Sequence, residues 1–184
     1  LKKTKKIYLE DAQYYIEDVR KSIVERLTYE KVYKQGFSIN TPINLDLQKV
    51  ATKSLREGLV SYDKRKGWHG VLANKIYDSN WRNDLEKFSL EKSLGWDIAI
   101  VKKIDKFSID IETTEKIKGK VDYKESSWVK KDFDEFLKTG DLIYVEKIRD
   151  NQFSLRQTPK VNGGIVVMDP YTGRVLALSG GFSF

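Results

Sequence analysis

The chain has 184 residues, 40% of them hydrophobic and 33% charged, with a formal net charge of +7. That is room for one ordinary domain or two small ones, and the positive balance suits an anionic partner (nucleic acid, an acidic membrane face or an acidic polymer) without choosing among them. Cysteine is absent, which excludes disulfides, thiol catalysis and cysteine-bound zinc, and no stretch approaches the roughly 20 apolar residues of a membrane helix.

Leu9 to Leu27 reads as an amphipathic helix, with Ala12, Tyr15, Ile16, Val19, Ile23 and Leu27 at three- and four-residue spacing. Gln35-Gly36 breaks the pattern. Phe37 to Ile43 alternates with period two and predicts a strand, which Pro42 confines to an edge or an end. Asn44 is a suitable N-cap for a helix to Tyr62, with Asp46 in its first turn. The expected buried stripe is Leu47, Val50, Ala51, Leu55, Leu59 and Tyr62, and Lys64-Arg65-Lys66-Gly67 is the stop. Trp68-His69-Gly70 reads as a loop, and Trp81 to Leu94 as a short helix.

From Trp96 the pattern changes to short strands. Asp97 to Ile104, Lys106 to Glu112, Lys116 to Tyr123, Leu142 to Ile148 and Gln152 to Gln157 are strand candidates, with a short helix at Asp132 to Leu137 closed by Gly140. Five short strands and one helix in this span suggest a small, partly open OB-like barrel. The chain closes on an apolar hairpin, Gly164 to Met168 and Arg174 to Leu178, around the turn Asp169-Pro170-Tyr171-Thr172-Gly173. Both arms are apolar enough to predict cover on both faces. Leu1 is not Met, and an isolated hairpin is marginal in water, so both ends read as cut from a longer chain.

Barrels of this type bind single-stranded nucleic acid by stacking bases on aromatic rings in a positive groove. Trp96, Phe107, Tyr123, Trp128 and Phe153 could supply rings, with Lys102, Lys103, Lys118 and Lys120 beside them. A barrel this small needs large side chains inside, however, and Asp105, Asp110, Glu112, Glu115 and Asp122 interrupt any basic stripe. The S-x-x-K, S-x-N and K-T-G strings of serine acyl-transfer enzymes also occur. They are Ser61 to Lys64, Ser89 to Lys92 and Ser127 to Lys130, then Ser38 to Asn40, then Lys138 to Gly140. With 13 serines and 26 lysines, chance predicts about two S-x-x-K matches. The chemistry also needs its serine at a helix start, whereas Ser61 sits at a helix end. No catalytic, cofactor-binding or metal-binding residue is therefore assigned, and no cofactor. His69 is the lone histidine and reads as a surface-loop residue.

Longer strings carry a resemblance. "INTPINLDLQKVATKSLREGLVSYDKRKGWHG" (Ile39 to Gly70) resembles the linker of bifunctional class A penicillin-binding proteins, with Leu47-Gln48 and the run Tyr62 to Gly70 matching that family's pattern. "FSLRQTPKVNGGIVVMDPYTGRVLALSGGFSF" (Phe153 to Phe184) resembles the join between that family's OB-like insert and its transpeptidase domain, and Gln13 to Leu27 the exit from its glycosyltransferase domain. The implied fold is α+β: a small OB-like barrel inserted into a subdomain of strand, helix and C-terminal hairpin. The implied division is 1–36 (helical exit segment), 37–75 (linker strand and helix), 76–158 (OB-like insert) and 159–184 (first transpeptidase hairpin). The resemblance implies a non-catalytic stretch of a peptidoglycan synthase at the periplasmic face of the bacterial inner membrane. The implied partners are the parent's own catalytic domains and either a periplasmic regulator or peptidoglycan. Nucleic acid is not among them, and the membrane is reached only through the parent's N-terminal part. The rival reading is an independent OB-type module that binds single-stranded nucleic acid.

Overall fold

The computed structural model describes residues 10–35, 37–75, 80–83 and 85–184. In chain order the helices are α1 (Gln13–Leu27), α2 (Tyr29–Lys34), α3 (Leu45–Lys64) and α4 (Phe133–Phe136). The strands are β1 (Ala73–Asn74), β2 (Trp96–Asp105), β3 (Ser108–Thr113), β4 (Lys118–Asp122), β5 (Asp141–Arg149), β6 (Gln152–Arg156), β7 (Ile165–Met168) and β8 (Val175–Ser179). Two compact units divide them. One draws on the chain up to Leu59 and on Lys160–Phe184, and the other is Val60–Pro159. The second unit is thus inserted into the sequence of the first.

The inserted unit is a closed five-stranded barrel. β2 pairs antiparallel with β3, β3 with β4, β4 runs parallel to β6, and β6 pairs antiparallel with β5, which returns to β2. β1 adds to the start of β5. Period-two alternation sets the inside: Ile109, Ile111 and Thr113 of β3 are buried, while Ser108, Asp110 and Glu112 turn outward. α4 lies in sequence between β4 and β5 and puts Phe133 in the core, flanked by Val129 and Leu137. A capping box holds it, with Asp132 N–H donating to the Glu135 carboxylate at 2.7 Å. Each large core side chain of this kind contributes roughly 1.5–3 kcal/mol.

β2 and β5 depart from alternation because both their faces are covered. Ala99, Val101, Ile143 and Val145 point into the barrel; Ile98, Ile100, Leu142 and Tyr144 point outward into a second cluster around Trp81. That cover comes from the segment expected to be a short helix, Trp81 to Leu94. It is instead a turn followed by two 3₁₀ turns, Glu86–Phe88 and Lys92–Leu94. Trp81, Leu85, Phe88 and Leu90 all dock on one sheet face, and Arg82 is pinned to the carbonyls of Thr114 (3.0 Å) and Thr113 (3.1 Å). Those anchors override helix periodicity.

In the other unit α3 starts as expected: the Asn44 side chain accepts from the N–H groups of Asp46 and Leu47 at 3.0 and 3.1 Å. Its buried face is displaced from the expected stripe. Gln48, Ala51, Thr52 and Leu59 are buried, whereas Val50 is 61% exposed and Tyr62 is also exposed. The reason is Gln48. Its carboxamide donates to Leu178 C=O and accepts from Leu178 N–H, both at 2.9 Å, and donates to Asp11 C=O at 2.8 Å. Asn44 N–H takes Leu176 C=O at 2.9 Å. Alternation along β8 turns the backbone of Leu176 and Leu178 away from β7, so Asn44 and Gln48 close that edge of the hairpin. This also explains why Phe37 to Ile43 is not a strand: the edge it would have joined is occupied, and Pro42 has no N–H to give. Residues 37–43 carry no ladder, with Phe37 and Ile39 exposed.

The hairpin itself folds as read. The turn is fixed by Asp169 accepting from Tyr171 N–H at 2.9 Å and by Gly173 at φ 69°. Its cover is one-sided, contrary to expectation: Val166 and Met168 are 59% and 56% exposed. The outward backbone edge of β7 has no hydrogen-bond partner among the described residues.

Candidate functional site

Where the barrel's incoming and outgoing chain meet, a polar clasp forms around Asp63, which is 1% exposed. His69 Nε2 lies 2.8 Å from both carboxylate oxygens. Gln157 Nε2 donates to Asp63 at 2.7 Å and to Gly67 C=O at 2.9 Å, while its Oε1 accepts from His69 N–H at 3.0 Å. The end of α3, the following loop and the residue after β6 are thereby tied at one point. His69 is therefore a structural partner of a buried carboxylate rather than a surface-loop residue. Sequence reasoning passed over Asp63 and Gln157 because no spacing rule links residues so far apart in the chain.

Beside the clasp, Lys64 lies against Trp128, its Nζ 5.4 Å from the ring centroid. Burial, then the neighbouring Arg156 charge, brings its pKa down to about 8. Ser61, one turn earlier, is exposed. Ser89 and Ser127 are exposed as well, each on a different element, and the Ser127 hydroxyl donates to Lys124 C=O at 3.1 Å. The three S-x-x-K strings thus lack the buried serine that acyl transfer requires.

The rings proposed for base stacking are spent on packing. Phe153 is in the barrel core, Tyr123 and Trp128 pack against it, and Trp96 packs on the second cluster. Phe107 alone of the five is exposed, at 69%, on the β2–β3 turn.

The outer face of β2, β3 and β4 carries a groove of about 540 Å³ lined by Lys102, Asp110, Glu112, Lys118, Lys120 and Asn151, floored at Gly119. Alternation from the inward-facing Val101 turns Lys102 outward beside Glu112, and a β-bulge at this point shifts the β2–β3 register. Gly119 is required there: a Cβ would lie 2.3 Å from the Phe153 ring. Glu112 is hydrogen-bonded to Arg82, which holds its carboxyl below the usual range. Lys102 reaches Glu112 at 3.7 Å and Lys120 reaches Asp110 at 3.9 Å.

Three comparisons set this architecture among known proteins. The model of the penicillin-binding protein OB-like domain matches residues 68–161. Penicillin-binding protein 1A of Rickettsia prowazekii is 37% identical over 178 residues, covering 94% of this chain and 22% of that protein. Penicillin-binding protein 1A of Pseudomonas aeruginosa is 28% identical over 190 residues, covering 95% and 22%. The crystal structure of penicillin-binding protein 1A from Haemophilus influenzae superimposes with a TM-score of 0.78 at 26% identity, covering all of this chain and 28% of that one. The chain thus spans about a fifth of the length of the curated relatives it matches.

Proposed function

The chain belongs to the class A penicillin-binding proteins, and from that premise we propose that it is the connecting stretch of a bifunctional peptidoglycan synthase. It holds apart a unit that polymerises glycan from lipid II and a unit that cross-links stem peptides by D,D-transpeptidation, at the periplasmic face of the bacterial inner membrane. The observation that carries this reading is the insertion: a closed barrel, tied at its base by Asp63, His69 and Gln157, interrupts a separate unit whose two halves are remote in sequence. A second observation agrees. The hairpin is closed on the β8 edge by Gln48 and Asn44, whereas β7 offers an open apolar edge onto which further strands of a transpeptidase sheet fit. In this reading 1–36 leaves the glycosyltransferase unit and 159–184 opens the transpeptidase unit.

The test is excision of the barrel from the full-length protein that carries this chain, replacing Trp68 to Gln157 by a short Gly-Ser linker. Lipid II polymerisation and penicillin acylation, measured separately, should persist, while the cross-linked fraction of newly made glycan falls. An unchanged cross-linked fraction overturns the spacer role. A second form with the linker lengthened separates lost spacing from lost folding.

A further inference from the structure

The groove on the barrel's outer face is not explained by packing or by spacing. Its lining carries three ammonium groups, Lys102, Lys118 and Lys120. Of the two carboxylates there, Glu112 is shared between Arg82 and Lys102 and Asp110 faces Lys120, so two carboxylates, one of them already held by an arginine, answer three lysines. The ion pairs that exist are long, 3.7 and 3.9 Å, and open to exchange with a ligand's carboxylates. Lys118 has no ion pair among the described residues.

The backbone adds a second element. Thr113 N–H bonds Ile117 C=O, which makes Thr113/Ile117 and Ile111/Gly119 the hydrogen-bonded pairs of the β3–β4 ladder. Lys118 and Lys120 therefore present their N–H and C=O to the opposite side. Lys120 N–H is taken by Asn151 C=O at 2.8 Å, but the parallel ladder with β6 begins only at Lys120. The N–H and C=O of Lys118 are left on the β4 edge that borders the groove near Asn151, without a partner among the described residues. Lysine ammoniums and one free peptide unit at the border of the groove together suit a ligand that is itself a short peptide bearing carboxylates. The volume fits a few residues. No aromatic ring lines the groove, which disfavours stacking of bases or of sugar rings as the source of binding.

We infer that this groove binds the carboxylate-bearing stem peptides of nascent, un-cross-linked peptidoglycan, an assignment that rests on the synthase reading above. The barrel would then tether the growing product as well as separate the two units.

The experiment is an amide NMR titration of the 184-residue chain with four probes. They are soluble un-cross-linked glycan strands bearing stem peptides, the same strands stripped of peptides by an amidase, the free pentapeptide, and an oligodeoxythymidylate. The expected result is shifts at Lys102, Lys118, Lys120 and Asn151 with the peptide-bearing strands and the free pentapeptide, and none with stripped strands. Lys118→Glu with Lys120→Glu should weaken binding at least about 20-fold, while Lys118→Arg with Lys120→Arg keeps it within about threefold and retains the spectrum of the folded chain. Equal shifts from stripped strands, tighter binding of the oligonucleotide at these residues, silent groove amides, or unchanged affinity in the charge-reversed variant would each overturn the assignment. The excision assay is a separate readout, so loss of this site and loss of the spacer role are distinguishable.

Discussion

Replacing Gln48 by Leu keeps most of the buried volume and removes every hydrogen bond the carboxamide makes. Leu178 N–H and Leu178 C=O then lose the carboxamide as partner, and Asp11 C=O keeps only the Thr52 hydroxyl at 3.4 Å. An unsatisfied buried group costs roughly 1–3 kcal/mol. Water at the strand edge relieves part of this, so the expected loss is about 3 kcal/mol, which corresponds to a fall of roughly 150-fold in hydrogen-exchange protection at the Leu178 amide. Urea unfolding by far-ultraviolet circular dichroism and exchange at that amide measure the two quantities. Gln48→Glu sharpens the test. A carboxylate still accepts from Leu178 N–H but sets a charge against two carbonyls, so the folded state raises the pKa of the new acid. Stability from the protonated form is then present below the unfolded pKa of about 4.3 and is lost as pH rises through the raised folded value. The variant should recover stability at pH 4 relative to pH 7. A loss below 1 kcal/mol in Gln48→Leu, with Leu178 protection unchanged, would refute the edge-closing role.

Gly119→Ala drives a Cβ into the Phe153 ring and should cost about 2 kcal/mol by overpacking, with Phe153→Leu in the same chain restoring part of it in a denaturation experiment. Asp63→Ala takes the carboxylate from the His69 ring and from one Gln157 N–H at the base of the barrel, leaving Gln157 only its bonds to Gly67 and His69 N–H, and should destabilise by about 3 kcal/mol. Tryptophan fluorescence reads this directly, since all four tryptophans lie between Trp68 and Trp128. Lys64→Met should raise the melting temperature at pH 7. Burial lowers the folded pKa of Lys64 to about 8, so the charged form is penalised below that value. Wild-type stability rises between pH 8 and the unfolded lysine value near 10.4, and the advantage of the variant should shrink by pH 10.

The barrel was largely legible because it follows local rules. β3 alternates cleanly, Asp132 and Glu135 announce α4, and Asp150-Asn151 marks the β5–β6 turn. Asn44 was readable as a cap for the same reason. What periodicity missed was polar burial. Gln48, Thr52 and Asp63 occupy the buried face of α3, and a pattern built on apolar residues shifts that face toward Val50 and Tyr62. The strand expected at Phe37 to Ile43 failed through competition: a side-chain amide took the edge it needed. Trp81 to Leu94 failed because its shape follows the sheet it covers. The groove was half legible. Its lysines were visible in the sequence, but the bulge that shifts the β2–β3 register at Lys102 and the late start of the β4–β6 ladder were not. The family strings at Ile39 to Gly70 and Phe153 to Phe184 pointed to the right relatives, although the roles of Asp63 and Gln157 within them emerge only from geometry.

Intact-mass analysis after exposure to a fluorescent penicillin tests most directly whether this chain is the connecting, non-catalytic part of its protein. The account predicts no covalent adduct on the 184-residue chain under conditions that label the full-length protein. An adduct on Ser61, Ser89 or Ser127, abolished by the matching Ser→Ala change, would contradict it.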